Sequence, residues 1–125
     1  MARNSGIMLM VAVALCVMTV YAQAFTLVEE GSARAVIVLG KEATPSEKHA
    51  AEELVSYVRK MTGATLDIVR QGDDIAEGSG ALLIGKPSTH AGIRKLVDAG
   101  SMDYGAAITG DDGFIIKTVQ SDGRA

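Results

Sequence analysis

The run Gly80–Lys86 comes closest to a catalytic or nucleotide-binding motif, because its glycines and lysine have the spacing of the phosphate loop GxxxxGK[ST]. A phosphate loop needs a flexible turn whose N–H groups converge on phosphate, followed by a hydroxyl that binds Mg²⁺. Here the four intervening residues, Ala-Leu-Leu-Ile, are typical of a short buried strand, and Pro87 stands where the hydroxyl belongs. The sequence therefore predicts a structural role for this run rather than nucleotide binding.

The two histidines, His49 and His90, are far apart in the sequence, and neither has a carboxylate at a metal-ligand spacing. His49 is expected on the solvated side of a helix. Metal coordination and general-base catalysis are therefore the less favoured interpretations for both residues.

The acidic pairs Asp73-Asp74 and Asp111-Asp112 resemble paired catalytic carboxylates only in the sequence. Neighbouring side chains of an extended chain point to opposite faces, whereas a glycosidase pair must converge on one bond. Both pairs are interpreted as solvated turn residues. A Gly-x-Ser-x-Gly nucleophile elbow is also missing around the serines weighed as nucleophiles, Ser46, Ser56 and Ser88. We identify no catalytic residues, no cofactor site and no metal site from the sequence.

The N-terminal segment has the pattern of a cleavable secretion signal. Arg3 supplies a positive start, Ile7–Val20 is an uncharged apolar run, and Ala22 and Ala24 occupy the positions that a signal peptidase reads. A membrane anchor is the alternative, but the run is shorter than the roughly 20 residues needed to cross a bilayer. We expect cleavage between Ala24 and Phe25, and a secreted or periplasmic protein.

Removal of that segment changes the composition. It takes away Cys16, the only cysteine, and Arg3, which leaves eleven basic residues against fifteen acidic ones, a net charge of about −4. No disulfide, thiolate nucleophile or cysteine metal ligand is then expected in the exported part. The acidic balance argues against a nucleic-acid surface. The remaining residues, about a hundred, allow one small domain with a limited core.

The element expected to organise the fold is a helix over Thr44–Gly63. Thr44 and Glu47 form a capping box, Pro45 suits the first helical position, and Gly63 supplies a left-handed stop. The helix should pack on a sheet through one apolar stripe, made of Ala50, Ala51, Leu54, Val55, Tyr57, Val58 and Met61.

The other elements follow from shorter patterns. Strands are predicted at Phe25–Val28, Ala35–Leu39, Thr65–Arg70, Ala81–Ile84 and Gly113–Val119. The first two should form a hairpin, and Leu66 and Ile68 should share the buried face of the third. A second helix, from about His90 to Ala99, is expected to be capped by Ser88 or Thr89. Together these elements predict an α+β fold, a single mixed β-sheet with one or two helices packed on one face. The turn signal Ser121-Asp122-Gly123 lacks its return strand, so the domain is expected to be incomplete at its C-terminus.

The order of these motifs resembles a known domain. It consists of an apolar VIVL strand, the helix AAEELVSYVRKMTGA running into LDIV, then ALLIGKPS, then DDGFIIKTV. This order is similar to the N-terminal ancillary domain of bacterial β-hexosaminidases, α-glucuronidases and related large secreted bacterial proteins. The resemblance covers nearly all of residues 25–125, through short structural motifs.

The resemblance implies a mixed sheet with helices on one side, preceding a catalytic (β/α)₈ barrel that carries the catalytic acids. Residues 1–24 are then the signal peptide, and residues 25–125 a glycoside-hydrolase-associated N-terminal α/β domain that supports the barrel without catalysing. Carbohydrate substrate would meet the protein through that barrel, with neither nucleic acid nor a stable membrane span involved. A stand-alone exported carbohydrate- or surface-binding module is the alternative, and a small exported enzyme is the least favoured reading.

Overall fold

The computed structural model describes residues 25–107 and 113–120. The predicted signal positions Ala22 and Ala24, the Asp111-Asp112 pair and the turn at Ser121-Asp122-Gly123 lie outside these ranges. The expected α+β class is confirmed. The elements are β1 (Val28–Glu29), β2 (Ser32–Ala33), β3 (Ala35–Leu39), α1 (Pro45–Thr62), β4 (Ile68–Arg70), β5 (Gly80–Ile84), α2 (Ala91–Asp98) and α3 (Tyr104–Ala107).

Strand β3 is the centre of the fold. Its apolar, β-branched residues suit a strand that is covered on both faces, and four of its five residues are buried. It lies between β4 and β5 in a three-stranded parallel sheet, with Ile37 opposite both Ile68 and Leu82. A β-strand, a helix and a parallel β-strand therefore follow one another from β3 through α1 to β4.

The predicted N-terminal hairpin exists, but with a different second strand. Its strands are β1 and β2, with Val28 opposite Ala33, and Arg34 forms a 3.0 Å exposed ion pair with Glu29. Glu30 and Gly31 both have positive φ, as a two-residue reversal requires, so the chain turns back at once. β3 pairs with β4 and β5 instead. The described strands thus form two sheets rather than the single mixed sheet expected.

Helix α1 confirms its predicted start and stop. The Thr44 hydroxyl accepts from the Glu47 N–H at 3.2 Å, the Thr44 N–H donates to the Glu47 carboxylate at 2.8 Å, and Gly63 is left-handed at φ 78°. Ala51 and Val58 of α1 are buried in the core. The core is completed by Ile37, Leu39 and Leu66, with Leu82 and Ile84 packed against it.

The apolar stripe of α1 is only partly buried. Leu54 and Val55 are half-buried against the core, whereas Tyr57 is 56% exposed and Met61 74% exposed. Ala50, another member of the predicted stripe, is also exposed. Ala50, Tyr57 and Met61 lie along one flank of α1, whereas Ala51, Leu54 and Val58 face the core, so the buried stripe is narrower than predicted.

Two predicted strands differ in the structure. Leu66 is buried as expected, but it precedes β4, and Ile68 is 40% exposed although the alternation placed it on the buried face. Residues 113–120, where a strand was predicted, have no regular secondary structure, and Phe114 and Ile116 are highly exposed. An apolar alternating segment becomes a strand only where a neighbouring strand pairs with it.

The second helix begins at Ala91 and lies on the other side of the sheet. Because side chains alternate along β5, Leu83 faces away from the core that contains Leu82 and Ile84. The Leu83 side chain lies beside Gly92 of α2, so the two longer helices do not share one face as predicted. Among the described residues, none of the helices has the length and apolarity needed to span a bilayer.

Candidate functional site at the carboxyl edge of the sheet

The three parallel strands end at the same edge, so the loops that follow β3, β4 and β5 lie together. The chain leaves β3 towards β4 on one side and later returns to β5 on the other. In open parallel sheets, ligands bind outside the carboxyl ends of the strands, where the connections diverge in this way. The carboxyl edge of the sheet is therefore the expected position of a ligand-binding site.

Two glycines allow close packing at this edge, Gly40 between the loops after β3 and β5, and Gly85 within the loop after β5. Gly40 is buried, and a Cβ at this position would overlap the Thr89 carbonyl group. Gly85 has a φ of 151°, and a Cβ there would lie 3.1 Å from the Cβ of His90. A side chain at Gly40 would separate the two loops, and one at Gly85 would crowd Thr89 and His90.

Glu47 joins the first turn of α1 to the loop after β5. Its side chain is buried, with an exposed fraction of 8%. One carboxylate oxygen accepts from the Thr44 N–H, and the other accepts from the Thr89 hydroxyl at 2.8 Å. The Thr89 hydroxyl oxygen also accepts from the Lys86 N–H at 3.0 Å. Every one of these polar groups is used to hold the loops in place.

His90 is the other buried titratable residue in the described part of the chain, with an exposed fraction of 1%. Its Nδ1 accepts from the N–H groups of Gly92 and Ile93 at 3.1 and 3.4 Å, so Nε2 carries the proton and donates to the Val38 carbonyl at 3.2 Å. Burial lowers the pKa of His90 from its usual value of 6.5, against the opposing effects of the Val38 hydrogen bond and the Glu47 charge. The neutral ring serves as the N-cap of α2, which the sequence assigned to Ser88 or Thr89.

Beside these residues lies a cleft of about 280 Å³, which we call the edge cleft. It is lined by Lys41, Glu42, Gln71, Ser88, Thr89, Ala91 and Arg94. All three loops of the carboxyl edge contribute, together with the first turn of α2. The cleft thus brings together residues that are widely separated in the sequence.

Two of the lining side chains are held by the backbone around them. Arg94 donates from Nε to the Pro87 carbonyl at 2.7 Å and from Nη2 to the Ser88 carbonyl at 3.4 Å. The Gln71 side-chain amide oxygen accepts from the Ala91 N–H at 3.1 Å, and the Gln71 backbone N–H donates to the Leu39 carbonyl at 2.8 Å. Their remaining N–H donors are consequently positioned by the fold.

A second depression, of about 390 Å³, lies between the N-terminal hairpin and the end of α1. We call it the apolar groove. Its lining is mostly apolar and consists of Phe25, Thr26, Leu27, Val28, Val58, Met61 and Thr62. Phe25, the predicted first residue of the mature chain, is 39% exposed here.

The sequence-predicted candidates are spread over the molecule. His49 is exposed on α1 as expected, and Gly80–Ile84 is strand β5 and not a phosphate loop. Asp73 and Asp74 are exposed in a loop, where the Asp73 carboxylate accepts from the Arg70 N–H at 2.8 Å. Of the serines, Ser46 and Ser88 are exposed and Ser56 is half-buried. Across residues 25–107 and 113–120, no three His, Cys, Asp or Glu side chains form a group able to hold a metal ion.

Sequence reasoning missed the residues of the edge cleft. Gln71 directly follows one predicted strand, and Lys41 lies two residues after the end of another. In parallel sheets, ligand-binding residues often lie just after the ends of strands. The position of these residues indicates a site only if the strands are known to be parallel, whereas a mixed sheet was expected.

In comparisons with known proteins, the chain matches no protein-family model, no curated protein and no solved structure.

Proposed function

We propose that this chain is a non-catalytic N-terminal domain of an exported carbohydrate-degrading glycoside hydrolase of the α-glucuronidase or β-N-acetylhexosaminidase type. In this role it packs against a catalytic barrel in the same polypeptide and supports it. The observation that carries the proposal is the apolar surface around the end of α1.

That surface combines the apolar groove with the large side chains beside it. Met61 lines the groove and is 74% exposed, and Tyr57, one turn earlier on α1, is 56% exposed. Phe25 adds a partly exposed aromatic ring on the opposite wall. Contiguous apolar surface of this kind is typical of an interaction site.

Covering these side chains would be favourable, at about 25 cal/mol for each Å² of apolar surface removed from water. A small domain has a limited core of its own, so burial against a second domain would add stability that its own packing does not supply. A domain–domain contact fits this surface better than a sugar subsite, because its lining offers few polar groups to orient hydroxyls.

The non-catalytic role is supported by how the buried titratable groups are used. Both carboxylate oxygens of Glu47 and both ring nitrogens of His90 are engaged by hydrogen bonds within the fold. A general acid or base must instead present its proton-transferring atom to substrate. These two residues hold loops together.

Export and the choice of enzyme class are supported by the sequence alone, through the signal pattern that ends at Ala24 and the motif order over residues 25–125. In this proposal Phe25 is the mature N-terminus, and it begins the wall of the apolar groove.

The test begins with the gene, where the reading frame should continue into a barrel domain. In that longer protein, Met61→Glu should place a charge in the domain contact and lower the midpoint of thermal unfolding. Ala50→Glu is the matched control, because it adds the same charge to an exposed position of α1 outside the groove. Equal effects of the two variants, or a reading frame with no barrel, would contradict the proposal.

A further inference from the structure

We infer that the edge cleft is a binding site for a small oxyanion, a carboxylate or phosphate group carried by a compact ligand. The inference is independent of the proposed domain role, because the edge cleft and the apolar groove share no lining residue. It combines the position of the cleft, the charge of its lining and the hydrogen-bonding groups left available there.

The position is the one at which an open parallel sheet binds ligands. The cleft lies outside the carboxyl ends of the strands, where the connection from β3 runs to β4 on one side of β3 and the chain later returns to β5 on the other. Its volume of about 280 Å³ is just below the range for small-molecule sites, which begins at about 300 Å³. The ligand it fits is correspondingly small.

The charge favours an anion. Lys41 and Arg94 supply two positive groups to the lining and Glu42 one negative group. Lys41 reaches across to the loop after β4, where its Cε lies close to Gly72. The Lys41 ammonium has no carboxylate within ion-pair distance among the described residues. It is therefore available to an incoming anion.

The hydrogen-bonding groups that remain are mainly donors. Arg94 uses Nε and part of Nη2 on backbone carbonyls, which leaves Nη1 to donate. Gln71 uses its amide oxygen on the Ala91 N–H, which leaves its NH₂ group. The Thr89 hydroxyl is already engaged, since it donates to Glu47 and accepts from the Lys86 N–H. A fixed guanidinium, an ammonium and an amide NH₂ together suit carboxylate or phosphate oxygens.

The binding groups are side chains and not the N-terminus of α2. The Ala91 N–H is taken by Gln71, and those of Gly92 and Ile93 are taken by the His90 ring. An anion in the cleft would accordingly depend on Lys41 and Arg94. A bare divalent cation would depend on Glu42, so the two possibilities respond oppositely to substitutions.

The experiment is a titration of the purified protein with inorganic phosphate and, separately, with acetate, followed by amide chemical shifts at constant ionic strength. We expect saturable shifts at Lys41, Gln71 and Arg94 with at least one of the two anions. Phosphate alone would identify the ligand as a phosphate compound, acetate alone as a carboxylate compound, and both outcomes support the site.

Four variants complete the test. Lys41→Gln should weaken binding about tenfold, the value of one charge-assisted hydrogen bond, and Glu42→Gln should tighten it by removing a repulsion. Arg94→Lys should retain binding better than Arg94→Gln. Lys95→Gln, at an exposed position outside the cleft, should leave binding unchanged. Absence of saturable shifts, equal weakening by Lys95→Gln, or weaker binding in Glu42→Gln would overturn the inference.

Discussion

The hydroxyl of Thr89 donates a 2.8 Å hydrogen bond to the carboxylate of Glu47. The two residues lie 42 positions apart, and the bond ties the loop after β5 to the first turn of α1. The capping-box carboxylate therefore has two tasks, since it also satisfies the Thr44 N–H. The geometry of the edge cleft depends on this link, because Thr89 is part of its lining.

Thr89→Val tests the link. The substitution keeps the shape of the side chain but leaves a Glu47 oxygen and the Lys86 N–H without their partner. We expect a loss of about 1–3 kcal/mol in the free energy of unfolding, measured in urea. Thr65→Val, at an exposed position, is the matched control and should change stability by less than about 0.5 kcal/mol. A Thr89 variant as stable as the control would show that the bond contributes nothing.

The buried ring of His90 should make stability depend on pH. Since burial lowers the folded-state pKa below 6.5, the unfolded chain takes up this proton first as the pH falls. The His90 contribution is fully present above about pH 6.5 and is lost towards the folded-state pKa, with a slope of up to about 1.4 kcal/mol per pH unit.

Urea unfolding across this pH range measures the slope. His90→Asn should remove it, since asparagine can still cap α2 but does not titrate. His49→Asn, at the exposed histidine, should leave it in place. Retention of the slope in His90→Asn would assign it to another group.

Gly40→Ala tests the close approach of the two loops. A Cβ at this position would overlap the Thr89 carbonyl, and backbone on both sides leaves little room to adjust. We expect a loss of about 1–3 kcal/mol, as for other overpacked sites. Gly105→Ala is the control, because it lies exposed in α3 with no heavy atom closer than 3.9 Å to the added Cβ. It should be neutral or stabilise by up to about 1 kcal/mol, and equal losses in both would refute the packing account.

Leu66→Ala tests the core beneath α1. Leu66 is 2% exposed and belongs to the cluster around Ile37 and Val58. Emptying such a site costs about 2–5 kcal/mol in the free energy of unfolding. Met61→Ala, at a position 74% exposed, should cost little in the chain alone. Similar losses in urea would mean that α1 packs in another orientation.

The features that could be predicted from the sequence are those set by residues close together in the chain. The ends of α1 followed from Thr44, Glu47 and Gly63, because capping and left-handed termination are local chemistry. Strand β5 was likewise predicted from its apolar run between glycines, to within one residue.

Strand pairing and side-chain contacts between residues far apart in the chain could not be predicted from the sequence. β3 has the composition of any buried strand, and its pairing with β4 and β5 is set by the whole fold. The roles of His90 and Thr89 depend on Val38 and Glu47, which only the folded chain brings near. The cleft was missed for the same reason, since its residues come from three loops.

The most direct test of the account is the hydrolytic activity of the purified chain on chromogenic glucuronide and N-acetylhexosaminide substrates. A glycosidase needs two carboxyl groups about 5–5.5 or 6.5–9.5 Å apart on a rigid scaffold, typically around a sugar-sized pocket. We predict no turnover by the chain alone, and turnover by a longer protein that carries the proposed barrel. Turnover by the chain alone that persists through purification and is abolished by Asp111→Asn together with Asp112→Asn would contradict the account.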